Sequence, residues 1–190
     1  KRDRPYKNTR YPTDSSDQFY ASWPVRVAFG ERTAGSGRPS GRPPARILEG
    51  SPLDEAALID LLEKIGPAVL IPHSMGGATV FRLARSRPDL VKGIVVVEPV
   101  GCPQTLEKIE PWVDSPFLAV YGDYIESRNQ SGRLEACRAT ARLITEAGGI
   151  GNMLELTEEG IFGNTHMLMQ DNNSAEIASR IIQWMNENID

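Results

Sequence analysis

From residue 51 onward the apolar positions alternate between two patterns. Short runs without polar interruption occur at 68–71 (AVLI), 93–97 (GIVVV) and 117–121 (FLAVY). Uninterrupted runs of this length, rich in β-branched residues, predict strands buried on both faces of a parallel sheet. A fourth strand is predicted at 153–157 (MLELT). Between them the apolar spacing widens to a helical period. Ser51 is placed to cap a helix whose first turn holds Pro52, Asp54 and Glu55; Leu58, Leu61, Leu62 and Ile65 fall on its inward face, and Gly66-Pro67 ends it. A second helix follows the turn at Ser74 and runs to about Ser86. A third covers 133–147 and is closed by Gly148-Gly149, and the last covers 174–188, with Ile177, Ile181, Ile182 and Trp184 turned inward. Strands alternating with helices across short connections predict an α/β fold, a mostly parallel sheet with helices on both faces.

Residues 1–50 follow neither pattern. The stretch ERTAGSGRPSGRPPAR is dominated by Pro, Gly, Ser and Arg and reads as an exposed loop or linker. Tyr20, Trp23, Val25, Val27 and Phe29 are the positions there expected to pack on the domain. Of the 21 Lys and Arg residues 10 lie in this segment, with 5 of the 25 Asp and Glu, a balance of +5 against −9 for the remainder. Pro and Gly break up this basic charge, so it reads as a surface loop, and the overall charge of −4 argues against a nucleic-acid binder. A neutral or small substrate fits better. No apolar run reaches the roughly 20 residues that span a bilayer. Cys102 and Cys137 form no metal-ligand set with each other or with a histidine, which excludes a structural zinc site of the usual spacing. On composition they are two buried thiols or one disulfide, with thiols slightly favoured. No metal and no organic cofactor is implied.

The segment VLIPHSMGGATVFRLA, residues 69–84, carries the candidate chemistry. A strand leads into a helix through a turn with Ser74 at its tip, and Gly76 and Gly77 supply the small residues that a strained nucleophile elbow needs. Pro72 stands where G-x-S-x-G has its first glycine, so the match is partial. A capping serine would be the purely structural alternative. A serine hydroxyl needs a base, and the chain has two histidines. His73 adjoins the serine and points away from it, fitting a packing or hydrogen-bonding role beside the site. His166 lies in GIFGNTHMLMQD, a loop after the last strand, where it would complete the chain order serine, acid, histidine. Two carboxylates stand at strand ends within reach of the same crevice: Asp123 after FLAVYG and Glu98 after GIVVV. The residues leave that choice open.

The strings HSMGG, VVVEPVGCP, YGDYIE, LEACRA, EAGGIGN and GNTHMLMQDNN occur in this order over about residues 60–190. On them the chain resembles the α/β-hydrolase superfamily and, within it, the group of bacterial and fungal esterases typified by the Alcaligenes esterase. The resemblance implies a Ser-His-Glu triad of Ser74, His166 and Glu98, with Asp123 in a supporting role. It also implies an oxyanion hole using the Met75 N–H and a second N–H from a loop after an early strand. That early strand has no counterpart in residues 1–50. Residues 51–190 are therefore expected to be the C-terminal part of a hydrolase domain, completed by strands on a second polypeptide or in a part not contained in the sequence. Residues 1–50 would be an insertion covering the pocket. The resemblance further implies a Cys102–Cys137 disulfide, a secreted or periplasmic location and a homodimer. The expected activity is serine carboxylic ester hydrolysis on a small ester. A thioesterase, lactonase or acyltransferase would use the same triad, and a hydrolase-like binding protein is the reading outside enzymes.

Overall fold

A computed structural model of the protein describes residues 52–189. The readings made on residues 1–50 and the capping role of Ser51 lie outside the described residues. The chain begins with α1 (Pro52–Ile65) and enters β1 (Ala68–Leu70). After the Ser74 turn come α2 (Gly76–Ser86) and a single 3-10 turn at Pro88–Leu90 that feeds β2 (Val91–Val97). A four-residue helix, α3 (Leu106–Ile109), and a 3-10 turn (Glu110–Trp112) precede β3 (Phe117–Tyr121). The chain then passes through α4 (Ser131–Glu146), β4 (Gly151–Glu155), a 3-10 turn at Leu168–Gln170 and α5 (Ser174–Asn188). The four strands form one sheet in the order β1-β2-β3-β4, all neighbours parallel. The fold class is thus α/β, and the carboxyl ends of all four strands lie along one edge of the sheet.

The absence of polar alternation in β2 and β3 follows from burial on both faces. Ile94, Val96, Phe117, Ala119 and Tyr121 point into a core shared with α1, α2 and α4, where Leu62, Phe81, Leu83, Trp112 and Ile144 also lie. Val95, Val97, Leu118 and Val120 point the other way, against Leu156, Leu168 and Ile177, the last on α5. Successive side chains on a strand face opposite sides, so both sets must be apolar. In the first core Phe81, Trp112 and Phe117 form a triangle with ring centroids 6.0 to 6.3 Å apart. The Trp112 indole N–H is satisfied by the Lys108 carbonyl at 2.9 Å. Cys102, in the loop after β2, and Cys137 on α4 are joined by a disulfide with a Cα separation of 5.1 Å.

Three expectations need correction. Leu61 and Ile65 of α1 are exposed, and the packed stripe is Leu58, Ile59 and Leu62, the side turned toward the core that α1 shares with α2. Ile182 of α5 is exposed, while Ile177, Ile181, Trp184 and Met185 meet the sheet. The fourth strand begins two residues before the predicted start, at Gly151. There the helix α4 comes so close that a Cβ on Gly151 would stand 2.2 Å from the Ala141 carbonyl oxygen.

This contact makes Gly151→Ala an overpacking substitution, expected to cost about 1–3 kcal/mol. Trp112→Ala, which removes one corner of the buried aromatic triangle, is expected to cost about 3–5 kcal/mol. Urea unfolding of both variants checks the two values.

Candidate active site

The chain turns sharply at Ser74, whose φ of 53° lies in the left-handed region that L-residues avoid. Hydrogen bonds from both sides hold this turn. The Ser74 N–H donates to the Val97 carbonyl at 3.0 Å, Val97 N–H to the Pro72 carbonyl at 2.9 Å and Val100 N–H to the Ser74 carbonyl at 2.8 Å. The β1–β2 ladder thus continues past the strands, and His73 bridges to Val97. Gly77 sits where the first turn of α2 meets the segment after β2. A Cβ there would lie 2.7 Å from that of Pro99 and 2.8 Å from the Val100 oxygen. The small residues of HSMGG therefore answer two demands, the elbow itself and the close passage of the neighbouring loop.

Glu98 ends β2 in a second left-handed residue, with φ of 40°. Its side chain is fully buried, as is that of His166, which is 3 % exposed. His166 Nδ1 lies 2.6 Å from Glu98 Oε2 and Nε2 lies 2.9 Å from Ser74 Oγ. Since an ionised carboxylate can only accept, the proton on the neutral imidazole sits on Nδ1 and donates to Glu98. Nε2 is then left to accept from the serine hydroxyl. His73 Nε2 donates to the His166 carbonyl at 2.7 Å, with the two rings 4.5 Å apart.

Glu98 accepts two further sets of hydrogen bonds. The Gly122 N–H reaches Oε1 at 3.1 Å, and the Arg128 guanidinium reaches Oε2 at 2.5 Å and Oε1 at 2.8 Å. Burial pushes the Glu98 carboxyl up, but the hydrogen bonds from His166 and Arg128, with the charge of Arg128, outweigh it and hold the group below its ordinary range. Arg128 went unnoticed in the sequence. Only the general need of a buried carboxylate for a cation could have pointed to it, and that need is visible once Glu98 is known to be buried.

Asp123 lies at the end of the next strand and does not meet His166. Its carboxylate accepts from the Tyr124 N–H at 2.6 Å and from the Gly163 N–H at 3.1 Å, tying the β3 end to the histidine loop. That loop is fixed again by Asp171, which accepts from the Thr165 N–H at 2.7 Å, from the Thr165 hydroxyl at 2.9 Å and from the Asn164 amide at 3.1 Å. Met75 stands at the N-terminus of α2 and its side chain is exposed. A cavity of about 480 Å³ opens beside it, lined by Leu58, Leu70, Ile71, Pro72, Thr79 and Met75 itself. It flanks β1 on the side away from β2. Among the described residues no group of three or more acidic, histidine or cysteine side chains is arranged to hold a metal. No described helix is long and apolar enough to cross a membrane.

No protein-family model matches this chain. It is similar to the probable secreted lipase phiG of Fungal sp. (strain ATCC 74256), with 29 % identity over 172 residues, 66 % of this chain and 47 % of the relative. A shorter stretch of 45 residues, 22 % of this chain, is 53 % identical to the sn-1-specific diacylglycerol lipase ABHD11 of Mus musculus and covers 15 % of it. Among solved structures it is similar to one described as a novel bacterial esterase, with a TM-score of 0.67 and 38 % identity over 70 % of this chain and 42 % of that one. The chain spans less than half the length of each of these relatives.

The lowered Glu98 carboxyl has a consequence for stability. A carboxylate favoured in the folded state contributes stability above its ordinary range, near 4.5, and loses it as the pH falls through the lower folded value. The stability gap between wild type and Glu98→Gln is therefore expected to be widest near neutrality and to narrow below pH 4.5, as measured by urea unfolding over a pH series.

Proposed function

We propose that this chain, an α/β-hydrolase of the esterase-like kind, carries the working triad of a serine carboxylic ester hydrolase. Ser74 is the nucleophile, His166 the general base and acid, and Glu98 the residue that orients the imidazole. The observation that carries the reading is the unbroken line from Ser74 Oγ through both ring nitrogens of His166 to Glu98, at 2.9 and 2.6 Å.

In this mechanism Ser74 Oγ attacks the ester carbonyl while His166 Nε2 takes its proton. The imidazolium so formed is stabilised by Glu98, and the developing oxyanion is held by the Met75 N–H at the positive end of α2. His166 then protonates the departing alcohol, leaving an acyl-enzyme on Ser74. Water, activated by the same nitrogen, attacks the acyl carbon and regenerates the serine. Asp123, occupied with two backbone N–H groups, has a supporting role in holding the histidine loop.

Two further parts of the proposal concern the whole protein. Among the described residues β1 has one hydrogen-bonded neighbour, β2, and its other side borders the apolar cavity. An unpaired edge of this kind is an aggregation hazard unless covered. With matched parts that cover less than half of each relative, this favours completion of the sheet by strands outside the described residues, on a second polypeptide or elsewhere in the protein. Export to an oxidising compartment is supported by the Cys102–Cys137 disulfide and by a relative whose name calls it secreted.

Stoichiometric modification by a fluorophosphonate, followed by intact mass of every polypeptide in the sample, tests the reading. Labelling of this chain is expected and is lost in Ser74→Ala; an unmodified Ser74 in folded protein sinks the hydrolase claim. Against a short-chain ester, His166→Ala is expected to lower kcat by more than about a thousandfold. Asp123→Asn, which keeps an acceptor for Gly163, should lower it by less than about tenfold. The reverse ranking of Asp123→Asn and Glu98→Gln would reassign the acid.

A further inference from the structure

Arg128 is an arginine in a loop whose side chain is nevertheless only 3 % exposed. It spends its donors inward. Besides both oxygens of Glu98 it reaches the Asp123 carbonyl at 2.7 Å, the Tyr124 carbonyl at 3.2 Å and Gln130 Oε1 at 3.1 Å. Gln130 is buried and is the residue immediately before α4. The guanidinium is therefore fixed from three directions, and a rigid planar fork set this way dictates the plane of the carboxylate it grips.

Glu98 and Arg128 cancel inside the protein, so His166 faces a neutralised carboxylate and not a bare one. The remaining titratable groups nearby do not alter the balance. Tyr121 on β3 is un-ionised, its phenol pushed up by burial and by the Glu98 charge. Asp123 directs its carboxylate to two backbone N–H groups, His73 faces the far side of the His166 ring, and Arg133 acts from α4 on Tyr121 at longer range.

We propose that Arg128 is a positioning residue of the reaction: it sets the orientation of Glu98 and offsets its charge, so that the buried Glu98–His166 pair takes up a proton less readily. The inference rests on the triad reading above. A buried negative charge left without its cation would attract a proton to the pair, whichever of the two residues carries it. Removing Arg128 must therefore raise the pH at which the base is lost, whereas a residue that only braces the fold would lower the rate at every pH alike.

The test is the second-order rate of fluorophosphonate labelling of Ser74 as a function of pH in the intact protein, which needs no knowledge of the natural ester. In Arg128→Met the acid limb is expected to move to higher pH by roughly one pH unit, the effect of one opposite charge at hydrogen-bonding range. Arg128→Lys, which keeps the charge without the fork, is expected to leave the limb where wild type has it and to lower the plateau rate. Should Arg128→Met not fold, Arg128→Gln keeps a donor to Glu98 and carries the same expectation as Met. An acid limb unmoved in the neutral variant, or moved to lower pH, overturns the proposal while leaving the triad standing. If wild type is not labelled, or if Ser74→Ala still is, the triad reading itself falls and this inference with it.

Discussion

A carboxylate with no access to water has to be matched group for group where it stands, and Glu98 is matched on every side. His166 supplies one donor, the Gly122 N–H a second and Arg128 two more. Desolvation of an unpaired carboxylate would cost several kcal/mol and drive it to the neutral form, in which it could not support an imidazolium. The three donor residues come from three separate parts of the chain: the turn after β3, the loop beyond it and the loop after β4. Holding one charge thereby ties together the ends of three strands.

That meeting is a product of parallel pairing. Register pairs Val97 with Val120, and Tyr121 with Glu155, so the residues that follow β2, β3 and β4 emerge at one level along the same edge. In an antiparallel sheet the corresponding ends would alternate between opposite edges. At that level the backbone abandons the extended conformation twice, at Ser74 and at Glu98, both with positive φ. Each departure costs of order 1–3 kcal/mol. They are sustained by the ladder bonds around Val97 and Val100 and by the apolar cores on both faces, which keep β2 and β3 from shifting. The strain aims the serine hydroxyl and the carboxylate at one imidazole between them.

The histidine loop is long and irregular, and it is held by polar contacts as well as by the packing of Ile161 and Leu168 against the second core. Asp171 gathers the backbone and side chain of Thr165, Asn164 pairs with Asn173, Asp123 holds Gly163, and His73 holds the carbonyl of His166 itself. A loop satisfied in this way can present a side chain as steadily as a helix does. It explains why a segment without hydrophobic period can carry the most position-sensitive group of the site.

The chain's own pattern of residues determined the α/β class, the existence of the strands observed at 68–70, 91–97 and 117–121, the turn at Ser74 and the two carboxylates that follow strands. These are local matters: a strand buried on both faces must be apolar throughout, and a left-handed turn packed against a neighbour must be flanked by small residues. Helix faces were less legible. Leu61, Ile65 and Ile182 have the right spacing, yet which apolar residues are covered depends on the neighbouring element, and each neighbour covers only part of the apolar face. The geometry around Glu98 was decided by tertiary structure alone. Glu98 and Asp123 look alike in sequence, each a carboxylate after an apolar strand, and only the distances separate them: 2.6 Å to His166 for Glu98, and backbone partners for Asp123. Arg128 is the clearest case. Thirty residues from the carboxylate it grips, in a loop of mixed charge, it carries no local mark, because the need it answers arises only when folding removes the water from Glu98.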